Sequence, residues 1–196
     1  MNLLFRRLNG LLLLLCLSSI TLYAQIETFH PKREFRGAWI QAVNGQFRGL
    51  GTEEMKKNLI EQLNALEEAG INAIIFQVRP EADALYQSNI EPWSRHLTGV
   101  QGKAPFPLWD PMEFMIEECH KRNMEFHAWI NPYRVKSSMS TPLDPSHIYH
   151  RHPERFIQYG NQLFLDPASP ESREHIITIV KDIITRYDVD AIQHKG

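Results

Sequence analysis

The sequence predicts an α/β fold built on parallel strands, and three observations predict it. Strand-like and helix-like patterns alternate along the chain. The segment Asn72 to Val78 is apolar almost throughout, which suits a parallel strand covered by helices on its faces. The polar members of each strand candidate collect at its C-terminal end, just before a loop. Alternating strands and helices call for parallel pairing through right-handed crossovers.

The first strand is Phe35 to Val43, short, apolar and aromatic. Thr52 is placed to cap the helix that follows, with Glu53 and Glu54 in its positive first turn. Met55, Leu59, Leu63, Leu66 and Ala69 recur at steps of three or four and draw one apolar face. Gly70 closes that helix, where a left-handed residue costs glycine nothing. After the second strand, Asp110 is an N-cap, Pro111 takes the first helical position and Glu113 stands three after the cap. Met112, Met115, Ile116 and Cys119 form the apolar face of that helix. His120, Lys121 and Arg122 complement its negative end, and Asn123 turns the chain. Glu125 to Asn131 is the third strand. Ser169-Pro170-Glu171 opens a third helix, with Ile176, Ile177, Val180, Ile183 and Ile184 as its buried side. Asp190-Ala191-Ile192 begins a fourth strand.

Two stretches interrupt the alternation, Tyr86 to Trp109 and Lys136 to Gln162, both rich in proline. They are expected to be long loops after strands 2 and 3, on the side where α/β barrels build their sites. An open doubly wound sheet and a closed barrel both fit this order. No glycine-rich turn follows the first strand, where Ala42-Val43-Asn44-Gly45-Gln46 stands, and no phosphate loop is visible. No cofactor is called for.

Residues 1–24 read as a secretory signal peptide. Arg6 and Arg7 precede an uncharged stretch from Leu11 to Leu22, and Tyr23-Ala24-Gln25 offers a cut after Ala24. The stretch falls short of the roughly 20 residues that span a bilayer. The expectation is an exported protein, periplasmic or extracellular, without a stable membrane span, with residues 25–33 as a leader and 34–196 as the folded domain. Lys and Arg number 21 and Asp and Glu 23. Without the two arginines of the signal the net charge is −4, and no basic stripe argues for a nucleic-acid partner. Cys119 is then the one cysteine left, so no internal disulfide staples the fold. A hydrophobic content of 43% supports a core instead.

Side chains alternate along a strand, so Ile75, Gln77 and Arg79 share a face, as do His127, Trp129 and Asn131, and Trp39 and Gln41. Polar groups at the C-terminal ends of barrel strands read as catalytic or substrate-binding. The competing reading is a buried polar plug with its hydrogen bonds satisfied. Their chemistry suits sugar: Trp39, Trp93 and Trp129 offer flat apolar faces, and Gln77, Arg79, Asn131 and Arg134 offer forked hydrogen bonds. Glycoside hydrolysis needs two carboxyl groups about the scissile bond. Glu81, Asp83, Glu91 and Asp166 are the candidates, each also standing where acids serve as caps and loop acceptors. His147, His150 and His152 raise a metal-dependent hydrolase as an alternative. They lie in a proline-rich loop without a recognised ligand spacing, and no metal ligand is assigned.

Taken together, Phe76-Gln77-Val78-Arg79-Pro80, Asp83-Ala84-Leu85-Tyr86, Glu91-Pro92-Trp93-Ser94, Leu97-Thr98-Gly99 and His127-Ala128-Trp129-Ile130-Asn131-Pro132-Tyr133-Arg134 resemble the glycosyl hydrolase-like 10 family of bacterial exported proteins. Arg36-Gly37-Ala38-Trp39, Leu165-Asp166-Pro167 and Tyr187-Asp188-Val189-Asp190 match as well. The resemblance implies a TIM-type (β/α)8 barrel, here incomplete and about its first half, that acts on polysaccharide. Some members are peptidoglycan glycosidases, so peptidoglycan glycan strands are the favoured substrate. It implies Asp83 and Asp166 as catalytic carboxyls, and Gln77, Arg79, Trp93, His127, Trp129, Asn131 and Arg134, beside Trp39, as substrate-binding residues. One departure stands out. The family strand Asp-Val-Asp-Gly-Ile continues His-Phe-Asp-Asp-Tyr, whereas Asp188-Val189-Asp190-Ala191-Ile192 is followed here by Gln193-His194-Lys195-Gly196. The expectation is a truncated barrel domain, inactive and poorly stable alone, with a non-catalytic glycan-binding module as the alternative.

Overall fold

A computed structural model of the chain describes residues 34–195 with the exception of Arg48, so the signal-peptide and leader readings lie outside the described residues. In chain order the elements are β1 (Gly37–Ile40), α1 (Thr52–Glu68), β2 (Ala73–Arg79), α2 (Arg95–Thr98), α3 (Pro111–Lys121), β3 (Glu125–Ile130), β4 (Arg134–Lys136), β5 (Phe156–Tyr159), β6 (Gln162–Leu165), α4 (Pro170–Arg186) and β7 (Ala191–His194). A four-stranded sheet runs β1-β2-β3-β7, and every pair in it is parallel. This is an α/β fold with a parallel sheet, as the alternation predicts.

The two faces of the sheet differ. Ile40, Ile74, Phe76, Val78, Phe126, Ala128 and Ile130 point to one side, where Met55, Leu59 and Leu63 of α1, Met112, Met115 and Cys119 of α3, and Ile179 and Ile183 of α4 cover them. All seven residues of β2 are buried, which is why that segment lacks the alternation of a half-wet strand. Helix ends follow local chemistry. The Asp110 carboxylate accepts from the backbone N–H of Met112 and Glu113, and Ser169 caps α4 through Ser172. Gly70 and Asn123 close their helices at φ 78° and 55°.

Four expectations need correction. Gly51, not Thr52, is the N-cap of α1; Thr52 lies inside the helix and its hydroxyl donates to the Pro107 carbonyl, 3.1 Å away. The first strand is shorter than Phe35 to Val43, since its pairing with β2 covers Gly37 to Ile40 alone. Ile177 and Ile184 are exposed, because a helix lying on one sheet buries too narrow an arc for all five isoleucine and valine positions. The stretch Lys136 to Gln162 is not a plain loop. It holds β5, and with β4 and β6 it builds a three-stranded antiparallel sheet in the order β4-β6-β5. Tyr159 pairs with Gln162 across a two-residue turn whose first residue, Gly160, has φ 56°. A small second core of Ala82, Val135, Leu163 and Leu165 lies under this sheet. Among the described residues no helix is long and apolar enough to cross a membrane.

The loops are fastened to the C-terminal ends of the strands by one buried charge network. Arg79, fully buried at the end of β2, donates through Nε and Nη2 to the Glu91 carboxylate at 2.7 and 2.6 Å. Its Nη1 donates to the carbonyls of Asn131 and Pro132 after β3. His175 of α4 reaches the same carboxylate at 2.9 Å. Burial alone would raise the Glu91 carboxyl, but Arg79 and His175 outweigh it and hold the group at about 2. Nearby, His147 is fully buried, its Nδ1 accepting from the Tyr149 N–H at 3.1 Å, and burial lowers its pKa to about 4.

Two outcomes follow from these groups. Glu91→Ala strands the buried Arg79 charge and should destabilise the fold by about 3–5 kcal/mol in urea unfolding; a loss below 1 kcal/mol would show that the guanidinium finds other partners. Acid should also weaken the fold in two windows. The His147 contribution is complete above pH 6.5 and is lost as pH falls toward 4, since the fold favours the neutral ring. The Glu91 contribution is complete above pH 4.5 and is lost as pH falls toward 2. Thermal unfolding measured between pH 7 and pH 4, about that first window, should decline in the native chain and stay flatter in His147→Phe.

Candidate functional site

The site is built on the face of the sheet that carries no helix among the described residues. Register places Trp39 beside Ile75, Ile75 beside His127, Gln77 beside Trp129, and Trp129 beside Gln193. Every one of these side chains therefore projects to the same side. Gln77 is buried, and its Oε1 accepts from the Ala42 N–H at 3.0 Å, tying the end of β1 to β2. The Trp129 indole N–H donates to Asn131 Oδ1 at 3.0 Å, and Asn131 Nδ2 donates to the Pro80 carbonyl at 3.0 Å. His127 sits between Glu125 at 3.0 Å and Gln193 at 3.2 Å, with the Phe35 ring stacked on it at 5.4 Å. Gly37 leaves room for that ring: a Cβ there would meet it at 2.8 Å.

The tryptophans divide the work. Trp129 is 7% exposed and Trp39 is 52% exposed, and they meet edge to face with centroids 4.8 Å apart. Trp129 is thus the fixed backing, and Trp39 the surface that a ligand can reach. Trp93, the third tryptophan of the set, does not join them; it is half-buried and packs against the main core. Arg79 points into the network with Glu91 and has no exposed surface. Arg134 lies exposed on β4 and lines an open groove of about 350 Å³ with Tyr133, Tyr159, Phe164 and Lys195.

Every carboxyl candidate already has a partner. Asp83 is fully buried, accepts from the Glu81 N–H and from Gln101 Nε2, both at 3.1 Å, and burial raises its pKa. Glu81 accepts from Arg95, His96 and the Ser137 N–H. Burial would raise the Glu81 pKa, yet these three partners bring it down to about 2. Between the two acids Ala82 has φ 50°, a conformation that costs an alanine on the order of 1 kcal/mol and that the surrounding bonds hold. Asp166, half-buried, accepts from the Ala168 N–H at 2.9 Å in a turn ahead of α4. The Glu81–Arg95–His96 cluster, the reach of His175 and the contact of Gln193 with His127 escape sequence reasoning. Only Glu81 carried a signal, as an acid two positions past a strand.

His147, His150 and His152 do not converge on a point, and among the described residues no group of three His, Cys, Asp or Glu could hold a metal ion. His147 and Tyr149 instead close a short turn. Burial pushes the Cys119 thiol up to about 12, which suits its place in the core and leaves it unreactive at neutral pH.

Known proteins are similar to this chain in sequence and in fold. Residues 34–195 match the family described as glycosyl hydrolase-like 10. Glycosyl hydrolase YngK of Bacillus subtilis (strain 168) is 43% identical over 166 residues, which cover 82% of this chain and 32% of that protein. Glycosyl hydrolase DigH of Escherichia coli (strain K12) is 38% identical over 145 residues, 69% of this chain and 33% of that protein. The chain therefore spans about a third of the length of both relatives. Among solved structures, a hypothetical protein from Ruminiclostridium thermocellum ATCC 27405 superposes with a TM-score of 0.54 at 16% identity, covering 80% of this chain and 74% of that one. The maltogenic α-amylase AmyB from Thermotoga neapolitana superposes with a TM-score of 0.51 at 13% identity, covering 80% and 38%. These structures share the fold, while the sequence relatives and the family match, over nearly all the described residues, carry the assignment: the chain belongs to the glycosyl hydrolase-like 10 family.

Proposed function

We propose that this chain supplies the glycan-holding part of a glycoside hydrolase barrel, in an exported protein that acts on polysaccharide, with peptidoglycan glycan strands as the favoured substrate. In this reading β1, β2, β3 and β7 are the first four strands of an eight-stranded barrel, and their C-terminal ends form part of its mouth. The observation that carries the reading is the exposed face of Trp39, backed by Trp129, in a chain of this family. A sugar ring presents a flat face of C–H groups that stacks on an indole, while its hydroxyls take up hydrogen bonds at the rim.

Cleavage makes a further demand. A glycosidase sets two carboxyls about the bond, one able to give a proton and one to stabilise charge or activate water. Glu81, Asp83 and Glu91 are buried and engaged, and Asp166 closes its own turn. The chain itself is therefore proposed to hold glycan without cleaving it, while full-length relatives cleave.

Purified chain should sediment with insoluble peptidoglycan and release no reducing ends, whereas a full-length relative should release them from purified glycan strands. Turnover by this chain would overturn the division of labour, and retention on neither peptidoglycan nor chitin would sink the glycan reading. Trp39→Ala should weaken retention by about 1 kcal/mol, the scale of a stacked aromatic contact, and leave thermal unfolding almost unchanged. If unfolding drops sharply while folded molecules bind as before, the ring is packing rather than platform.

A further inference from the structure

The groove between β4, β6 and the end of β7 brings two cations together among apolar and aromatic walls. Four arginines elsewhere are neutralised by near acids: Arg79 by Glu91, Arg95 by Glu81, Arg122 by Glu118 and Arg186 by Asp182. The Arg134 guanidinium and the Lys195 ammonium have no carboxylate within ion-pair distance among the described residues, and both line this groove. The remaining walls are apolar and aromatic, with Tyr133, Ile157, Tyr159 and Phe164 among them. Tyr159 is 79% exposed and Ile157 44%. The chain as a whole carries a net charge of −2, so the pair does not reflect an excess of basic residues.

Lys195 also joins this groove to the tryptophan platform. Its backbone N–H donates to the Ile130 carbonyl at 3.3 Å, which fixes it at the end of β3. Its ammonium stands 6.0 Å from the ring centroids of both Trp39 and Trp129. Lys195 thus belongs to both surfaces, and a glycan that lies on Trp39 and enters the groove would pass its ammonium.

We infer that the groove is a subsite for an acidic saccharide, one whose rings carry carboxylates, with Arg134 and Lys195 as the residues that select the charge. The inference rests on the glycan reading above and deepens it. Tyrosine faces take the apolar side of a sugar ring. A guanidinium meets a carboxylate through two parallel N–H bonds, a charge-assisted contact stronger than a neutral one. The ammonium adds attraction without that geometry. A neutral glycan would offer both cations hydroxyl oxygens alone, without the charge-assisted contact.

The test compares two probes that differ in charge alone: a hexasaccharide of β-1,4-linked glucuronate, and the same chain with its carboxyls reduced to hydroxymethyl groups. Both are titrated calorimetrically into the intact chain at low salt. The acidic probe should bind about tenfold or more tightly than the reduced one, and the ratio should shrink as salt screens the charges. Arg134→Gln and Lys195→Gln should each cut that ratio severalfold, and the double variant should bring it near one, with circular dichroism confirming that each variant folds. Equal binding of the two probes, or a ratio that survives in the double variant, overturns the inference and leaves the glycan reading intact. Failure of both probes to bind also overturns it. Whether the glycan reading falls with it is then decided separately by retention on insoluble peptidoglycan.

Discussion

A guanidinium with no exposed surface dictates how the strand ends are built. Taking Arg79 out of water costs several kcal/mol unless its donors all find acceptors. The structure supplies them from three residues in two segments: Glu91 from the loop after β2, and the carbonyls of Asn131 and Pro132 from the chain after β3. His175 then brings α4 onto the same carboxylate. Loop, strand ends and helix must all arrive in one arrangement, because any one missing leaves a buried charge or a buried acceptor alone. The position of the 88–94 loop follows from this, and so does the position of everything anchored beside it.

The same logic makes the helix-free face of the sheet a rigid platform. Its polar groups bond to one another and to the backbone: Gln77 to Ala42, Trp129 to Asn131, Asn131 to Pro80, His127 to Glu125 and Gln193. A residue spent in this way is not free to grip a ligand, yet it fixes the rings that are. Trp39 meets edge to face an indole held by its own hydrogen bond, so a sugar stacking there would order little that was loose. The groups that look most chemical in the sequence are thus largely the frame, and in the proposed function the exposed ring beside them is the surface on which a sugar would stack.

This division explains what could be read from the residues and what could not. Helix faces and strand faces are local: Met55, Leu59 and Leu63 announce their side by spacing, and Gln77 and Trp129 announce theirs by alternation. So do Asp110 and Gly70, whose cap chemistry needs only near neighbours. The use of each acid is not local. Glu91 meets a histidine 84 residues away, Asp83 a glutamine 18 away and Glu81 an arginine 14 away, so nothing near each acid shows that it is taken. The small sheet hid for another reason. Its strands are three or four residues long and stand among prolines, and the Gly160-Asn161 turn is a hairpin signal that outweighs them only once β4 supplies a third strand.

The end of β7 decides what sort of chemistry this face can support. Gln193 turns inward and holds His127 by an amide contact, which leaves that ring paired on both nitrogens. Lys195 then places a positive charge beside the two tryptophans. A carboxyl that donates a proton in glycoside hydrolysis needs its pKa raised, by an apolar surround or a second acid. An ammonium nearby does the opposite, since it favours the charged carboxylate. The charge at this strand end therefore works against a proton-donating acid on the tryptophan platform. It works in favour of a ligand that arrives already negative.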